Sequence, residues 1–255
     1  MTVRTGSLML LAAALWLGSS PQARADGASV AEVEARLAAG SRPEQDRARD
    51  AGRKPAEVVV FLGIEPGMTV IDLIAAGGYY TEVLSWTVGP EGKVYSQNNK
   101  YVLEIRDGVN DKALTARLAD GRLANVERLD QEMNALGIEP GSVDVAITAL
   151  NFHDIYNSRG PEAAIAFLES AYAILAPGGV LGIIDHAGGV GDDKALHRID
   201  EPLVIDAIAQ TGFKVEATSS VLQNAADDRT RNVFDEGLRG ATDRFVLRLR
   251  KPAAS

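Results

Sequence analysis

From Gly67 to Leu249 short apolar runs alternate with longer amphipathic ones, and this alternation constrains the fold more than any other feature. The runs at residues 69–73 (TVIDL), 93–96, 125–129, 142–149 (SVDVAITA) and 179–185 are apolar nearly throughout, as strands buried on both faces are. Residues 79–87, 103–118, 161–175 and 201–210 carry apolar positions at helical spacing, and Pro161 opens the third of these. Two last strands, 213–221 and 244–249, are joined by a polar segment. Alternating βα units predict an α/β fold with a doubly wound, mostly parallel sheet, and the final strand pair predicts an antiparallel C-terminal edge. With 46% hydrophobic residues in 255, the chain has apolar surface enough for one such domain, residues 67–255.

Ahead of that domain stands an N-terminal helical prelude, residues 26–66. Residues 29–39 read as an amphipathic helix ending at Gly40, residues 42–54 alternate acid and base like a solvated helix face, and Pro55 opens a short apolar helix ending at Leu62. Earlier still, Arg4, the run LMLLAAALWL at residues 8–17, the turn at 18–21 and Ala23-Arg24-Ala25 spell a secretory signal peptide, cleaved after Ala25. That apolar run is about half of a membrane span. The expected product is a periplasmic or secreted protein with no stable membrane anchor.

Composition removes several chemistries. Acidic residues outnumber basic ones 35 to 26 and no basic block occurs, which argues against a nucleic-acid partner. The absence of cysteine excludes thiolate nucleophiles, disulfides, Cys-ligated zinc and iron–sulfur clusters.

In an open α/β sheet the ligand lies beyond the carboxyl ends of the strands, so the turns that follow the strands carry the functional signal. The first is VIDLIAAGGYYTEVL at residues 70–84: a buried strand with Asp72, small residues including Ala75, Gly77 and Gly78, then a helix from Tyr79. Small side chains let a ligand approach the backbone, and the free N–H groups of the helix face it.

These residues resemble the acidic strand end and glycine loop of the class I S-adenosylmethionine-dependent methyltransferases. GGYYTEVL followed by VGPEGKVY is similar to the branch that includes protein isoaspartate and tRNA adenine methyltransferases. SVDVAITAL at 142–150, LAPGGVLGIID at 175–185 and Asp130 resemble later pieces of the family, and the likeness runs from about residue 56 to 249. RDAGRKPAEVVVFLGI, NFHD, DHAG, LHRIDE and TDRFVLRLRKP resemble most closely a group of exported predicted methyltransferases. The resemblance implies a seven-stranded Rossmann-like methyltransferase sheet and an enzyme that moves a methyl group to a small-molecule or protein acceptor. It also implies S-adenosylmethionine as cofactor, held by Asp72, Ala75, Gly77, Gly78, Tyr79, Asn98, Asp130 and Asn151.

Two departures bear on that cofactor. Ile74 and Ala76 stand where the family loop has glycine, and a β-branched residue resists positive φ, so a different path or a tighter site is expected. Gln97-Asn98 replaces the carboxylate that grips the ribose, leaving hydrogen bonds without charge assistance. The alternative reading is a non-catalytic small-ligand binding protein on a degenerate methyltransferase fold.

All three histidines of the chain, His153, His186 and His197, fall at strand ends or in loops. His153 with Asp154, and His186, flank the place where the resemblance puts the acceptor, which makes them candidate general bases; ordinary packing is the competing role. Asn151, His153, Asp154, Asp185 and His186 supply metal-type donors, but no metal-ligand spacing stands in the sequence and no metal is expected. Arg49 and Arg53 either fold over the cleft or form surface ion pairs, and Arg198 and Asp200 admit the same two readings.

Overall fold

Strand β1 (Thr69–Leu73) divides its side chains between two cores, as the twofold period of a strand requires. Ile71 and Leu73 pack on one side with the helix α7 (Pro161–Ile174) and α9 (Glu201–Ala209), through Phe167, Leu168, Ala171 and Val204. Val70 faces the other side, where α1 (Val30–Ala39), α3 (Pro55–Leu62) and α4 (Tyr79–Val88) contribute Val33, Leu37, Val59, Leu62 and Val83. The sheet is thus buried on both faces, as its continuous apolar strands foretold. This computed structural model describes residues 27–253, and the leader read at residues 1–25 lies outside them.

Among the described residues seven strands form one sheet, in the order β3-β2-β1-β4-β5-β7-β6. They are β1, β2 (Lys93–Asn98), β3 (Val126–Asp130), β4 (Val143–Ala149), β5 (Leu175–His186), β6 (Lys214–Ser219) and β7 (Arg244–Arg250). Pairings among β1 to β5 are parallel, and β7 runs antiparallel to both β5 and β6. The expected doubly wound sheet with an antiparallel C-terminal edge is present. Strand order reverses between β1 and β4, so the loops after these two strands part at a topological switch point.

The prelude is built into the fold. Ser29 caps α1 in a capping box with Glu32, and the helix packs on α3 and α4. The charged stretch forms α2 (Glu44–Arg53), which ends at Lys54 in the left-handed region. Pro55 disfavours a helical conformation at Lys54 and supplies the first residue of α3, so the chain turns there.

Three elements differ from the sequence reading. The segment after β4 forms a helix, α6 (Phe152–Arg159), that its polar sequence did not announce. A short helix, α8 (Asp193–Leu196), precedes His197. Helix α5 (Lys100–Leu118) starts earlier than expected and is interrupted at Ile105, Arg106, Asp107 and Gly108, the last three with positive φ. No helix among the described residues is long and apolar enough to cross a membrane.

Candidate functional site

The loop after β1 takes the glycine-type path without the glycines. Ile74 has φ +56°, Ala76 φ +49° and Gly78 φ +81°. The expectation that a β-branched residue would keep out of positive φ here is therefore corrected. Left-handed backbone costs a non-glycine residue about 1–2 kcal/mol, more for a β-branched one, and persists only where the surroundings impose it. They do so here from four directions. Ile74 N donates to Gln97 Oε1 at 3.0 Å, Ala75 N to Gln97 O at 2.9 Å, and Ala76 N to Asn98 Oδ1 at 2.8 Å. Asn151 Nδ2 donates to Ile74 O at 3.1 Å, and Arg117 Nε to Gly77 O at 2.9 Å. Leu150, at the matching turn after β4, also has positive φ, at +64°. Strain therefore sits on both sides of the switch point.

Beyond this loop opens a cleft of about 1270 Å³, walled by α2, the loops after β1 and β4, the start of α6 and the segments around residues 221–224 and 239–242. Of the residues expected to hold a cofactor, Asp72, Ala75, Gly77, Tyr79 and Asn151 line it. Gly78 lies just behind as the N-cap of α4, where a Cβ would meet Leu114 Cδ1 at 2.9 Å and Arg117 Cδ at 3.0 Å. Asn98 and Asp130 are elsewhere. Both ends of the Asn98 amide are bonded to Ala76, so its place is in the loop's support and the ribose role read for it is not visible. Asp130 ends β3 as a largely exposed acid paired with Arg128 at 2.8 Å, the bland alternative for that residue.

Asp72 is 3% exposed and accepts a hydrogen bond from Thr81 Oγ1 at 2.7 Å. Burial pushes its pKa up to about 6, against the opposing pull of the Thr81 hydroxyl and N–H and of Arg53 and Arg117. Arg53 is half-buried above it, with its guanidinium 4.5 Å from the ring centroid of Tyr79 and 5.8 Å from that of Tyr80. No carboxylate among the described residues forms an ion pair with Arg53, whereas Arg42 pairs with Asp50 and Arg49 with Asp46. Both Arg49 and Arg53 line the cleft, so the charged prelude reaches the site. Burial lowers the Arg53 pKa, and the cation of Arg49 adds to this. Tyr79 donates its hydroxyl to Asp50 at 2.5 Å, and burial together with that bond raises its pKa. Tyr80, beside it and buried, is pushed up to about 12, chiefly by burial.

At the far end the three histidines meet. His153 and Asp154 sit in the first turn of α6, where the backbone N–H of His153 donates to Asp185 Oδ2 at 2.7 Å and its Nδ1 lies 2.7 Å from Asp185 Oδ1. His186 ends β5, its ring 5.7 Å from that of His153, and His197 ends α8, 5.8 Å from His153 on another side. Burial by itself would lower the His153 pKa, but the Asp185 and Asp154 carboxylates outweigh it and push the value up to about 10. A histidine that keeps its proton at neutral pH is a weak proton acceptor, which counts against the base role read for His153. His186 moves the other way, well below the ordinary value, through burial and the nearby cations of His153 and Arg244. Its Nδ1 lies 2.7 Å from Thr242 Oγ1, and the ring borders the cleft. Arg198, by contrast, is wholly buried on Asp227 and on the carbonyls of Ala187 and Arg231. It braces the loop.

The fold has known counterparts. A SAM-dependent methyltransferase from Aquifex aeolicus is similar with a TM-score of 0.58 at 22% identity, over 77% of this chain and 89% of that one. The fold is that of the class I methyltransferases. A SAM-dependent O-methyltransferase from Thermotoga maritima matches with a TM-score of 0.54 at 14% identity, over 80% of this chain and 66% of that one. The cyclase SpnF matches with a TM-score of 0.56 at 17% identity, over 84% of each chain. At such identities the likeness speaks for architecture alone, and the same architecture serves a protein named for a different reaction. Among curated proteins, the demethylmenaquinone methyltransferase of Lactococcus lactis is 30% identical over 128 residues, 49% of this chain and 44% of that protein. The chain thus matches less than half the length of that relative. No protein-family profile matches the chain.

Proposed function

We propose that this protein is an S-adenosylmethionine-dependent methyltransferase acting on a small-molecule acceptor. The observation that carries the reading is the strained loop at Ile74 and Ala76. A fold kept only as a scaffold would be free to relax two unfavourable residues, yet Gln97, Asn98, Asn151 and Arg117 hold them in the path that lets a ligand approach the backbone. The resemblance of the chain to methyltransferases, including a relative whose named substrate is a demethylmenaquinone, supports the same reading.

The residues present fit such a cofactor. Ala75, Ala76 and Gly77 offer a surface of small residues, and α4 starts after Gly78 with no side-chain cap, so the N–H groups of Tyr79 and Tyr80 remain for a ligand while that of Thr81 goes to Asp72. Arg53, a cation with no carboxylate of its own, suits the carboxylate end, and Asn151 holds the loop from the β4 side. When bound, S-adenosylmethionine supplies an electrophilic methyl group on a sulfonium. The rest is positioning: α2 covers the cleft, and the acceptor would sit between it and the first turn of α6. Asp154 and His186 border that space, and His186, whose pKa burial lowers, is the candidate proton acceptor, while the protonated His153 would orient the acceptor. In this reading the leader at residues 1–25 sends the enzyme out of the cytoplasm, which fractionation of cells expressing the full chain would test.

Gln97 and Asn98 leave no free acid at the end of β2 for ribose hydroxyls, and this favours the second reading, a binding protein for another small ligand. One titration separates the two. Calorimetry with S-adenosylmethionine and its demethylated product is expected to show saturable binding that Gly78→Val abolishes. Heat-silent titrations at millimolar ligand would sink the methyltransferase reading.

A further inference from the structure

We propose that His153, Asp154 and His197 form a binding site for a divalent transition-metal ion of the zinc class, at the end of the cleft next to α6. Asp154 Oδ1 lies 3.3 Å from His153 Nε2 and 3.3 Å from His197 Nδ1, and all three ligand atoms fall within 4.8 Å of one another. Zinc–nitrogen and zinc–oxygen bonds of about 2.0–2.2 Å in a tetrahedron set ligand atoms about 3.3–3.5 Å apart. Two of the three edges therefore already have the tetrahedral length, and a small rotation of the partly exposed His197 ring closes the third.

Two independent features point to a ligand at this place. His153 Nε2 is buried, in a residue only 3% exposed, and makes no well-formed hydrogen bond, its one polar neighbour being Asp154 Oδ1 at 3.3 Å. A divalent ion seated between the two would take the place of the ring proton, which leaves to solvent, and would bond both Nε2 and the Asp154 carboxylate. The other ring nitrogen, Nδ1, is fixed by Asp185 at 2.7 Å, and the same carboxylate also receives the backbone N–H of His153. A carboxylate behind one imidazole nitrogen, with the other nitrogen presented forward, is the arrangement that orients metal-ligating histidines. The backbone of His197 is fixed, while its ring packs edge-on against Phe234 with centroids 5.0 Å apart. It occupies a left-handed position at the end of α8, and its neighbour Arg198 is pinned to Asp227.

Two imidazoles and one carboxylate suit zinc and its neighbours better than magnesium or calcium, which take oxygen. Three protein ligands leave a fourth position, and since His153 and Asp154 line the cleft, that position is open to water or to an oxygen of a bound molecule. Whether such an ion helps activate an acceptor rests on the methyltransferase reading. Its binding does not.

The test is a calorimetric titration of chelator-treated protein with Zn²⁺, repeated with His197→Ala, at a partly exposed side chain, and Asp154→Asn, at an exposed one. One equivalent is expected to bind, with affinity falling at least about 10–100-fold in each variant while both variants keep the far-ultraviolet circular dichroism of the parent. Co²⁺ is expected to give visible absorption of tetrahedral intensity that His197→Ala removes. Absence of stoichiometric Zn²⁺ binding by the unaltered protein, or unaltered affinity in both variants, overturns the site. An S-adenosylmethionine titration of the same metal-free protein is read separately, and its failure alone removes the methyltransferase reading and leaves the metal site standing.

Discussion

Asn98 grips Ala76 at both ends of its amide: Oδ1 accepts from Ala76 N at 2.8 Å and Nδ2 donates to Ala76 O at 3.1 Å. Asn98 is wholly buried, so neither bond can be replaced by water without opening the end of β2. Asn98→Leu keeps the approximate volume and removes both bonds, leaving Ala76 to be held by its neighbours alone. The expected cost is about 2–3 kcal/mol in urea unfolding, with a loss of S-adenosylmethionine affinity of about tenfold or more. Unchanged stability would mean that the clamp does not hold the loop.

If the left-handed backbone at Ala76 is strained, a residue without a Cβ should relieve it. Ala76→Gly removes about 1–2 kcal/mol of steric cost against an entropic penalty of about 0.5–1 kcal/mol. The net expectation is a gain of roughly 0.5–1 kcal/mol, visible as a higher urea midpoint at constant slope. At a helical alanine such as Ala171 the same change should lower the midpoint, because φ there is already favourable. A lower midpoint for Ala76→Gly would contradict the strain.

These two positions also show what the sequence carried and what it did not. Strand and helix order was legible because burial on both faces writes continuous apolar runs into strands such as 69–73 and 142–149. The loop path was misjudged because intrinsic preference at Ile74 was overruled by Gln97, Asn98 and Asn151, which lie 22 to 77 residues away. Helix α6 was missed since its polar run has no apolar period, and that helix aims the His153 N–H at Asp185, 32 residues on. His197 read as a loop residue. Its place beside Asp154 depends on the turn after α8, for which no local pattern speaks.

Helix α2 is tied to the domain by charges that α4 supplies. Glu82 is wholly buried and accepts from both Arg117 and Arg122, while Arg117 also holds Asp46 of α2 at 2.6 Å and the carbonyl of Gly77. Removing the central carboxylate leaves two cations poorly matched in a dry place, a loss of about 3–5 kcal/mol. Glu82→Ala is therefore expected to destabilise by that order and to speed proteolysis within α2. Arg47→Ala, which breaks an exposed pair with Glu44, should stay within about 0.5 kcal/mol of the parent. Equal effects of the two changes would show that the buried network does not anchor the helix.

Asp72 gives the fold a pH dependence of definite sign. Its folded pKa is raised from 3.8 to about 6, so the folded state binds this proton more tightly than the unfolded chain does. The stabilisation is complete below about pH 4 and is lost as pH rises through about 6, a change of about 3 kcal/mol in total. Other carboxylates, Asp154 and Asp227 among them, are shifted downward and act in the opposite sense, so the term must be isolated by difference. Asp72→Asn carries no titrating proton at this position and keeps an acceptor for Thr81. Urea unfolding of both proteins from pH 4 to pH 8 should show the variant gaining on the parent by up to about 3 kcal/mol between pH 4 and pH 7, with no further change above. Parallel stability curves across that range would mean that Asp72 titrates as an ordinary acid, and that burial between β1 and α4 is not what sets its charge.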